Sequence, residues 1–300
     1  MAFKTFDELV FHVQSAGKKK KVVLAAAHDE HALEAVVYAD KNNIAEPILV
    51  GDKPSIVKML GELRVEQDKY EIYHTEDDVS AAKKSVELIR NGTGDFLMKG
   101  KLQTADLLRE VVNKETGLSL GKPMSHVAMQ EVPNYPKLIA VTDGGMMTYP
   151  DLEGKKSIIE NAVSIFNKMG YENPKVAVLA AVEVVNPKMP EAVDADALKK
   201  MNQDGTIRNC IIEGPISYDL AMNKESSEIK GYRSPVAGDA DILVVPNITA
   251  GNILGKSLIY SAGAKMAGFI VGAKVPIVLT SRGASTEEKY LSLAISASAV

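Results

Sequence analysis

Three hundred residues, 46% of them apolar, hold enough material for two hydrophobic cores rather than one. A formal charge of -4 excludes a general binder of nucleic acid, which needs a basic field; the one basic run, residues 18–21, reads as a solvated turn. A single cysteine, Cys210, excludes an intramolecular disulfide, and with no N-terminal apolar segment resembling a signal peptide or membrane span the chain reads as a reduced, cytoplasmic protein.

Apolar β-rich runs alternate with amphipathic stretches from the start. The pattern predicts a strand at 22–27, a helix at 30–42, a strand at 47–51 and a helix at 55–63. Strands at 70–73 and 95–98 with helices at 80–91 and 104–113 continue the βαβ grammar, so the expected sheet is parallel and covered on both faces. Gly117, Gly121, Pro123, Pro133 and Pro136 then loosen the pattern and mark a lobe boundary. The expected division is 1–136 plus 275–300 for a first α/β lobe and 137–274 for a second. The second lobe carries strands at 138–142, 176–182, 211–213, 241–245 and 269–272, with a long helix at 154–169 and another near Asp194. A strand at 276–279 and a helix at 285–298 end the chain and return to the first lobe.

Two loops stand out, 246–256 (PNITAGNILGK) and 280–288 (TSRGASTEE), each running from an apolar strand into a helix. A helix start offers unpaired N–H groups and a partial positive charge, which favour phosphate oxygens. Gly251 and Asn252 open the first helix; in the second loop Arg282 adds a bidentate cation, Ser281 a hydroxyl, and Gly283 close backbone approach. A third polar segment, with Lys99, Gly100, Thr104 and Arg109, follows the strand at 95–98, although a helix-surface arginine is the plainer reading of Arg109.

Other reactive residues are open to plainer readings. His28, Asp29 and His31 follow the first strand, but no cysteine or acidic cluster completes a metal set, and Asp29 is expected to cap a helix. Cys210 reads as a buried, inert thiol. Ser285 and Glu288 form a capping box, so Glu288 and its neighbour Glu287 are open to a structural reading and a catalytic one. The helix start should also keep a carboxyl there ionised and weakly basic. Glu183, Asn186, Asn247 and Asn252 carry the same ambiguity, since Asx side chains after strands most often close turns. No G-x-G-x-x-G follows a strand and no Walker A pattern exists, which removes the main support for nicotinamide or ATP binding.

Taken jointly, the segments 97–118 (LMKGKLQTADLLREVVNKETGL), 181–198 (AVEVVNPKMPEAVDADAL), 213–219 (EGPISYD), 234–258 (SPVAGDADILVVPNITAGNILGKSL) and 275–289 (VPIVLTSRGASTEEK) resemble the phosphate acetyl/butyryltransferase family over essentially the full chain. NPKMP is more similar to the butyryl branch. The resemblance implies two α/β lobes of the isocitrate dehydrogenase-like type, with parallel or mixed sheets flanked by helices and an active-site cleft between lobes. It also implies a homodimer. The implied reaction is reversible acyl transfer between coenzyme A and inorganic phosphate, both substrates, with no cofactor, no metal and no covalent intermediate.

By position, the resemblance assigns Ser281 and Arg282 to the reacting carbonyl and phosphate, and Arg109, with Thr104 and Lys99 nearby, to phosphate. It assigns Asn247, Gly251, Asn252, Lys256 and Gly283 to coenzyme A and its acyl group. An aspartate that relatives propose as the base aligns with Glu288, with Glu287 adjacent. Three rival readings compete with this one. Phosphate acetyltransfer differs only in the acyl group. A metal- and NAD-dependent hydroxyacid dehydrogenase on the related fold would need clustered aspartates, whereas Asp194, Asp196, Asp239 and Asp241 are scattered. A noncatalytic acyl-coenzyme A-binding protein would keep Lys256 and the Gly251 turn but need no base.

Overall fold

The structure is a computed structural model that describes residues 2–280 and 283–300. Helix α1 (Phe6–Ser15) opens the chain, followed by β1 (Lys20–Ala25), α2 (Glu30–Lys41), β2 (Ala45–Gly51), α3 (Lys53–Glu62), β3 (Glu71–His74), α4 (Asp78–Arg90), β4 (Phe96–Lys99) and α5 (Thr104–Val111). Two consecutive strands come next, β5 (Ser125–Glu131) and β6 (Ile139–Thr142). Then follow α6 (Leu152–Lys168), β7 (Lys175–Leu179), α7 (Pro190–Gln203), β8 (Ile211–Ile216), α8 (Tyr218–Met222), α9 (Lys224–Ile229), β9 (Ile242–Val244) and α10 (Ile248–Ala262). The strands β10 (Lys265–Val271) and β11 (Ile277–Val278) lead to the last helix, α11 (Thr286–Ser298). Side-chain caps fix several helix starts: Asp29 accepts the Ala32 N–H at 2.9 Å, Asp77 that of Ser80 at 2.7 Å and Asp151 that of Gly154 at 2.8 Å.

Two compact units divide the chain. The first comprises Asp7–Lys122 and Ala267–Val300. Its strands run in the order β3-β2-β1-β4-β11-β10. All pair in parallel except β10, which is antiparallel to β11. Val22, Val23 and Leu24 of β1 and Phe96, Leu97 and Met98 of β4 are fully buried, as expected of strands with helices on both faces. Helix α11 packs here against α2, where the rings of Tyr38 and Tyr290 meet edge to face at 5.0 Å. The Ser292 hydroxyl also accepts the Gly268 N–H at 3.0 Å, tying α11 to β10.

The second unit comprises Pro123–Met266 and the N-terminal residues up to Phe6. Its strand order is β5-β6-β9-β7-β8, with β6, β9, β7 and β8 mutually parallel and β5 antiparallel to β6. Its core gathers Ile139, Val141, Ile216, Leu220, Val236, Leu243 and Leu258.

The units meet the sequence elsewhere than at the expected 136/137 and 274/275 boundaries. Residues 125–131 form β5, which pairs with β6 and so carries this stretch into the second unit. SHVAMQE has one β-branched residue and is flanked by Gly and Pro, so it reads as loop; its pairing and burial come from tertiary context. Helix α1 and the short helices α8 and α9 are likewise additions to the expected elements.

Two charged clusters anchor these units. In the second, the Lys137 ammonium lies 2.6 Å from Asp241 and 2.8 Å from Asp239, with Lys175 also on Asp239, and Asp241 accepts the Lys175 N–H at 2.7 Å. Lys137 and Asp241 are both nearly buried, so removing one leaves an uncompensated charge. Lys137→Met should therefore lower stability by about 3 kcal/mol, read as a lower urea midpoint at unchanged slope. In the first unit, burial alone would raise the Asp40 carboxyl's pKa, but hydrogen bonds from Lys19 and Lys69, each at 2.7 Å, and Tyr70 at 2.9 Å hold it below the ordinary value. The sign follows: this stabilisation is complete above the unfolded value of about 3.9 and is lost as pH falls through the depressed folded value. Asp40→Asn should flatten that acid limb in urea unfolding measured at stepped pH.

Candidate functional site

Strands β4 and β11 lie side by side in parallel, with Val278 opposite Met98. The segments following Lys99 and Val278 therefore leave the same edge of the first unit's sheet, where ligands of open α/β sheets bind. Lys99 ends β4 and donates its ammonium protons to the carbonyls of Gly100 and Leu102, both at 3.0 Å. Its charge thus braces the turn into α5. Thr104 is the exposed first residue of α5, and Arg109 lies on the exposed face of that helix, paired with Asp106 at 2.9 Å. Exchange of this partly buried partner for a dianion costs little, because an ion pair one helical turn apart with its arginine in solvent is worth only a few tenths of a kcal/mol.

Ser281 and Arg282 lie outside the described residues. Gly283 is exposed, and among the described residues no atom lies within 4 Å of where its Cβ would stand. Ser285 caps α11 by accepting the Glu288 N–H at 3.0 Å. Glu287 faces solvent in the first helical turn, whereas Glu288 is partly buried. Burial pushes the Glu288 carboxyl above its ordinary pKa, with the Lys289 charge opposing. Burial thus favours the neutral form of Glu288, opposite in sense to the pull expected of a helix start. Lys289 escaped the sequence reading. It is 7% exposed, and its ammonium donates to the Ala284 carbonyl at 2.7 Å, so it fixes the turn preceding α11.

In the second unit, β6 and β9 are parallel neighbours with Thr142 opposite Val244. Asn247 caps α10, accepting the Ala250 N–H at 3.0 Å. Gly251 is buried in the first turn, Asn252 and Lys256 are exposed, and the Asn252 amide reaches the Gly144 carbonyl at 3.5 Å. That last contact brings in the loop after β6, which the sequence reading passed over. Asp143, 2% exposed, accepts the N–H groups of Gly145 and Met146 at 2.8 Å and of Met147 at 3.1 Å. The ring of His126 lies beneath Gly145, and its Nδ1 is buried with no hydrogen-bond partner among the described residues. Burial lowers the His126 pKa, with the Asp143 charge opposing. The signal for this loop was the run TDGGM directly after a strand, an Asx residue before two glycines.

The remaining candidates have other surroundings. Cys210 is buried, and burial pushes its thiol up to about 11. Asn186 closes a turn by accepting the Lys188 N–H at 3.0 Å. Glu183 accepts the Ser217 hydroxyl at 2.6 Å and lines, with Lys199, Glu213, Tyr232 and Arg233, a cavity of about 310 Å³. His28 approaches Asp78 at 3.6 Å. Asp194, Asp196, Asp239 and Asp241 are each paired with lysine, and among the described residues no group of three or more His, Cys, Asp or Glu is placed to hold a metal ion. No helix among them is long and apolar enough to cross a membrane.

Comparison with known proteins places this geometry in context. The family model for phosphate acetyl/butaryl transferase matches residues 5–86 and 79–297. The phosphate butyryltransferase of Clostridium acetobutylicum is 45% identical, over 98% of this chain and 97% of its own length. The phosphate acetyltransferase of Thermotoga maritima is also 45% identical, over 94% of this chain and 95% of its own. Among solved structures, a branched-chain phosphotransacylase from Enterococcus faecalis V583 superposes with a TM-score of 0.82 at 37% identity, covering 92% of this chain and 97% of that one. The 4-hydroxythreonine-4-phosphate dehydrogenase of Burkholderia phymatum shares the fold, with a TM-score of 0.60 at 14% identity, 94% of this chain and 98% of that one being covered. With a family model spanning nearly the whole chain and relatives of this identity along its full length, the chain belongs to the phosphate acetyl/butyryl transferase family.

Proposed function

We propose that this protein catalyses reversible transfer of a short or branched acyl group between coenzyme A and inorganic phosphate. The observation that carries this reading is 45% identity, along nearly the full length, to enzymes named for that transfer. Coenzyme A and phosphate are substrates, and the reaction draws on no resident cofactor.

In the direction of acyl phosphate, a phosphate oxygen adds to the thioester carbonyl. The tetrahedral intermediate then collapses, the C–S bond breaks, and the departing sulfur takes a proton. Arg282 and Arg109, with Lys99 and Thr104 beside them, hold the phosphate in this reading, and Ser281 donates to the oxyanion. The start of α10, through Asn247, Gly251, Asn252 and Lys256, receives the phosphates of coenzyme A. Glu288 is the proton carrier, donating to the sulfur in this direction and accepting from the thiol in reverse. Its raised pKa supports the choice over exposed Glu287, because it narrows the gap of roughly four units between an ordinary glutamate and a thiol.

Acyl preference is the finer question. The acetyl- and butyryltransferase relatives match at equal identity, and the segment NPKMP and the branched-chain neighbour favour the longer acyl group. Each methylene is worth about 10- to 200-fold in a fitted apolar pocket. A panel of acyl-coenzyme A thioesters with phosphate and a thiol reagent should give butyryl- and isobutyryl-coenzyme A a kcat/KM at least about tenfold above acetyl. A clear preference for acetyl would select the acetyltransferase reading. Homodimeric assembly and a cytoplasmic location belong to the same proposal, and a monomer in sedimentation at micromolar concentration would remove the dimer.

Two substitutions test the chemistry. Arg282→Gln should lower kcat/KM about 100- to 1000-fold with the folded spectrum unchanged, and near-normal turnover would remove the phosphate assignment. Glu288→Gln should cost about 100-fold or more in kcat and, in the direction of thioester synthesis, where the carboxylate accepts the thiol proton, abolish the acid limb of the pH–rate profile. The wild-type limb should lie above the ordinary glutamate value, since burial raises the group. A variant that retains that limb would shift the proton role elsewhere.

A further inference from the structure

Helix α10 runs for 15 residues, yet its buried residues are only Gly251, Gly255 and Leu258. Leu258 joins the second unit's core, with Ala250 and Leu254 packed against it, and the two glycines lie where the helix comes close to its neighbours. At the first turn the seat is largely backbone meeting backbone. A Cβ on Gly251 would stand 2.8 Å from the Gly144 Cα and 3.0 Å from the Asp143 carbonyl oxygen, and one on Gly144 would stand 2.9 Å from the Gly251 carbonyl carbon. Farther along, the buried Gln130 amide donates to the Gly255 carbonyl at 3.2 Å. The orientation of the first turn of α10 is therefore inherited from the loop it rests on.

That loop owes its shape to one side chain. Both carboxylate oxygens of Asp143 are engaged by the N–H groups of Gly145, Met146 and Met147, which gathers five consecutive residues around a single buried group. From below, the His126 ring leaves little room for a side chain at Gly145, since a Cβ there would lie 3.0 Å from its Cγ. The Thr142 hydroxyl donates to the His126 carbonyl at 2.8 Å and so fixes that ring's strand to the root of the loop. The loop is thus clasped from within by Asp143, supported by His126, and pressed through Gly144 against α10.

We propose that Asp143 is a positioning residue for coenzyme A: by clasping residues 145–147 it holds Gly144 against Gly251 and so sets the first turn of α10 where the cofactor-like substrate's phosphates are received. This rests on the reading of α10 given above. Asp143 touches no substrate in this account and acts only through the loop. Small displacements matter, because donors at a helix start must meet phosphate oxygens at hydrogen-bond distance.

Calorimetric titration with coenzyme A, joined to phosphate kinetics, tests the proposal. Asp143→Asn keeps the volume but replaces one acceptor oxygen with an N–H₂ group. It should weaken the coenzyme A Kd at least tenfold with binding stoichiometry unchanged, and leave the KM for phosphate within twofold. A role in folding alone would instead lower the stoichiometry and leave Kd unaltered, which would overturn the proposal. Gly144→Ala provides an independent route if the first variant fails to fold, since it leaves the clasp intact and pushes on Gly251 directly; it too should raise Kd at least tenfold. Amide hydrogen exchange in Asp143→Asn should quicken at both 145–147 and 251–252, and quickening at 145–147 alone would break the link to α10. A parent protein that binds coenzyme A without transferring acyl groups would defeat the proposed reaction and leave this inference decided by the Kd shift. A parent that fails to bind coenzyme A would defeat the inference itself.

Discussion

Parallel pairing of neighbouring strands is the constraint on which the candidate site depends. Because β4 and β11 run the same way and in register, the loop bearing Lys99 and the one leading to α11 leave the first unit at a common edge. The same holds for β6 and β9 in the second unit, whose following loops meet at Gly144 and Gly251. Residues far apart in sequence are brought beside each other by hydrogen-bond ladders rather than by any affinity of their own. An antiparallel β11 would send its following loop to the opposite edge of the sheet, away from α5.

Electrostatics at the start of α11 sets two forces against each other. Unpaired N–H groups favour an ionised carboxyl in the first turn, where Glu287 is exposed. Glu288, one residue on, turns toward the protein and loses hydration, which drives it in the opposite sense. Burial thereby raises the proton affinity of Glu288, the kind of shift that suits a carboxyl for exchanging a proton. Lys289 adds a fixed charge nearby while its ammonium is occupied by the Ala284 carbonyl.

Much of the fold was legible in the sequence because apolar periodicity reports burial directly. VVLAAA, PILVG and DILVV are strands buried on both faces, and runs such as these leave no polar face to disguise them. Strand β5 was illegible for the opposite reason: SHVAMQE carries polar residues at positions that are nevertheless buried, Ser125 and Gln130, and these find partners in Asn161 and the Gly255 carbonyl that no local pattern can announce. The candidate residues divide in the same way. Caps such as Asn247 and Ser285 depend on residues three positions away and could be read locally. The Asp143 clasp was signalled locally by the run TDGGM, but the contact of its loop with Gly251, more than a hundred residues away, is shown only by the structure.

The first unit is interrupted in the sequence by the second, and vectorial synthesis gives that interruption a consequence. As the polypeptide emerges from the ribosome, β4 can pair with β1 at once, but its other flank stays bare until β11, some 180 residues later, has been made. Over that interval the nascent sheet presents an open hydrogen-bonding edge and an apolar surface lacking its α11 cover. The intervening segment, by contrast, holds nearly all the strands and helices of its own core and can mature first. The final stretch of the polypeptide thus closes a structure begun at the opposite terminus, and truncation by even the last helix would expose the earliest-made strands rather than a late appendage.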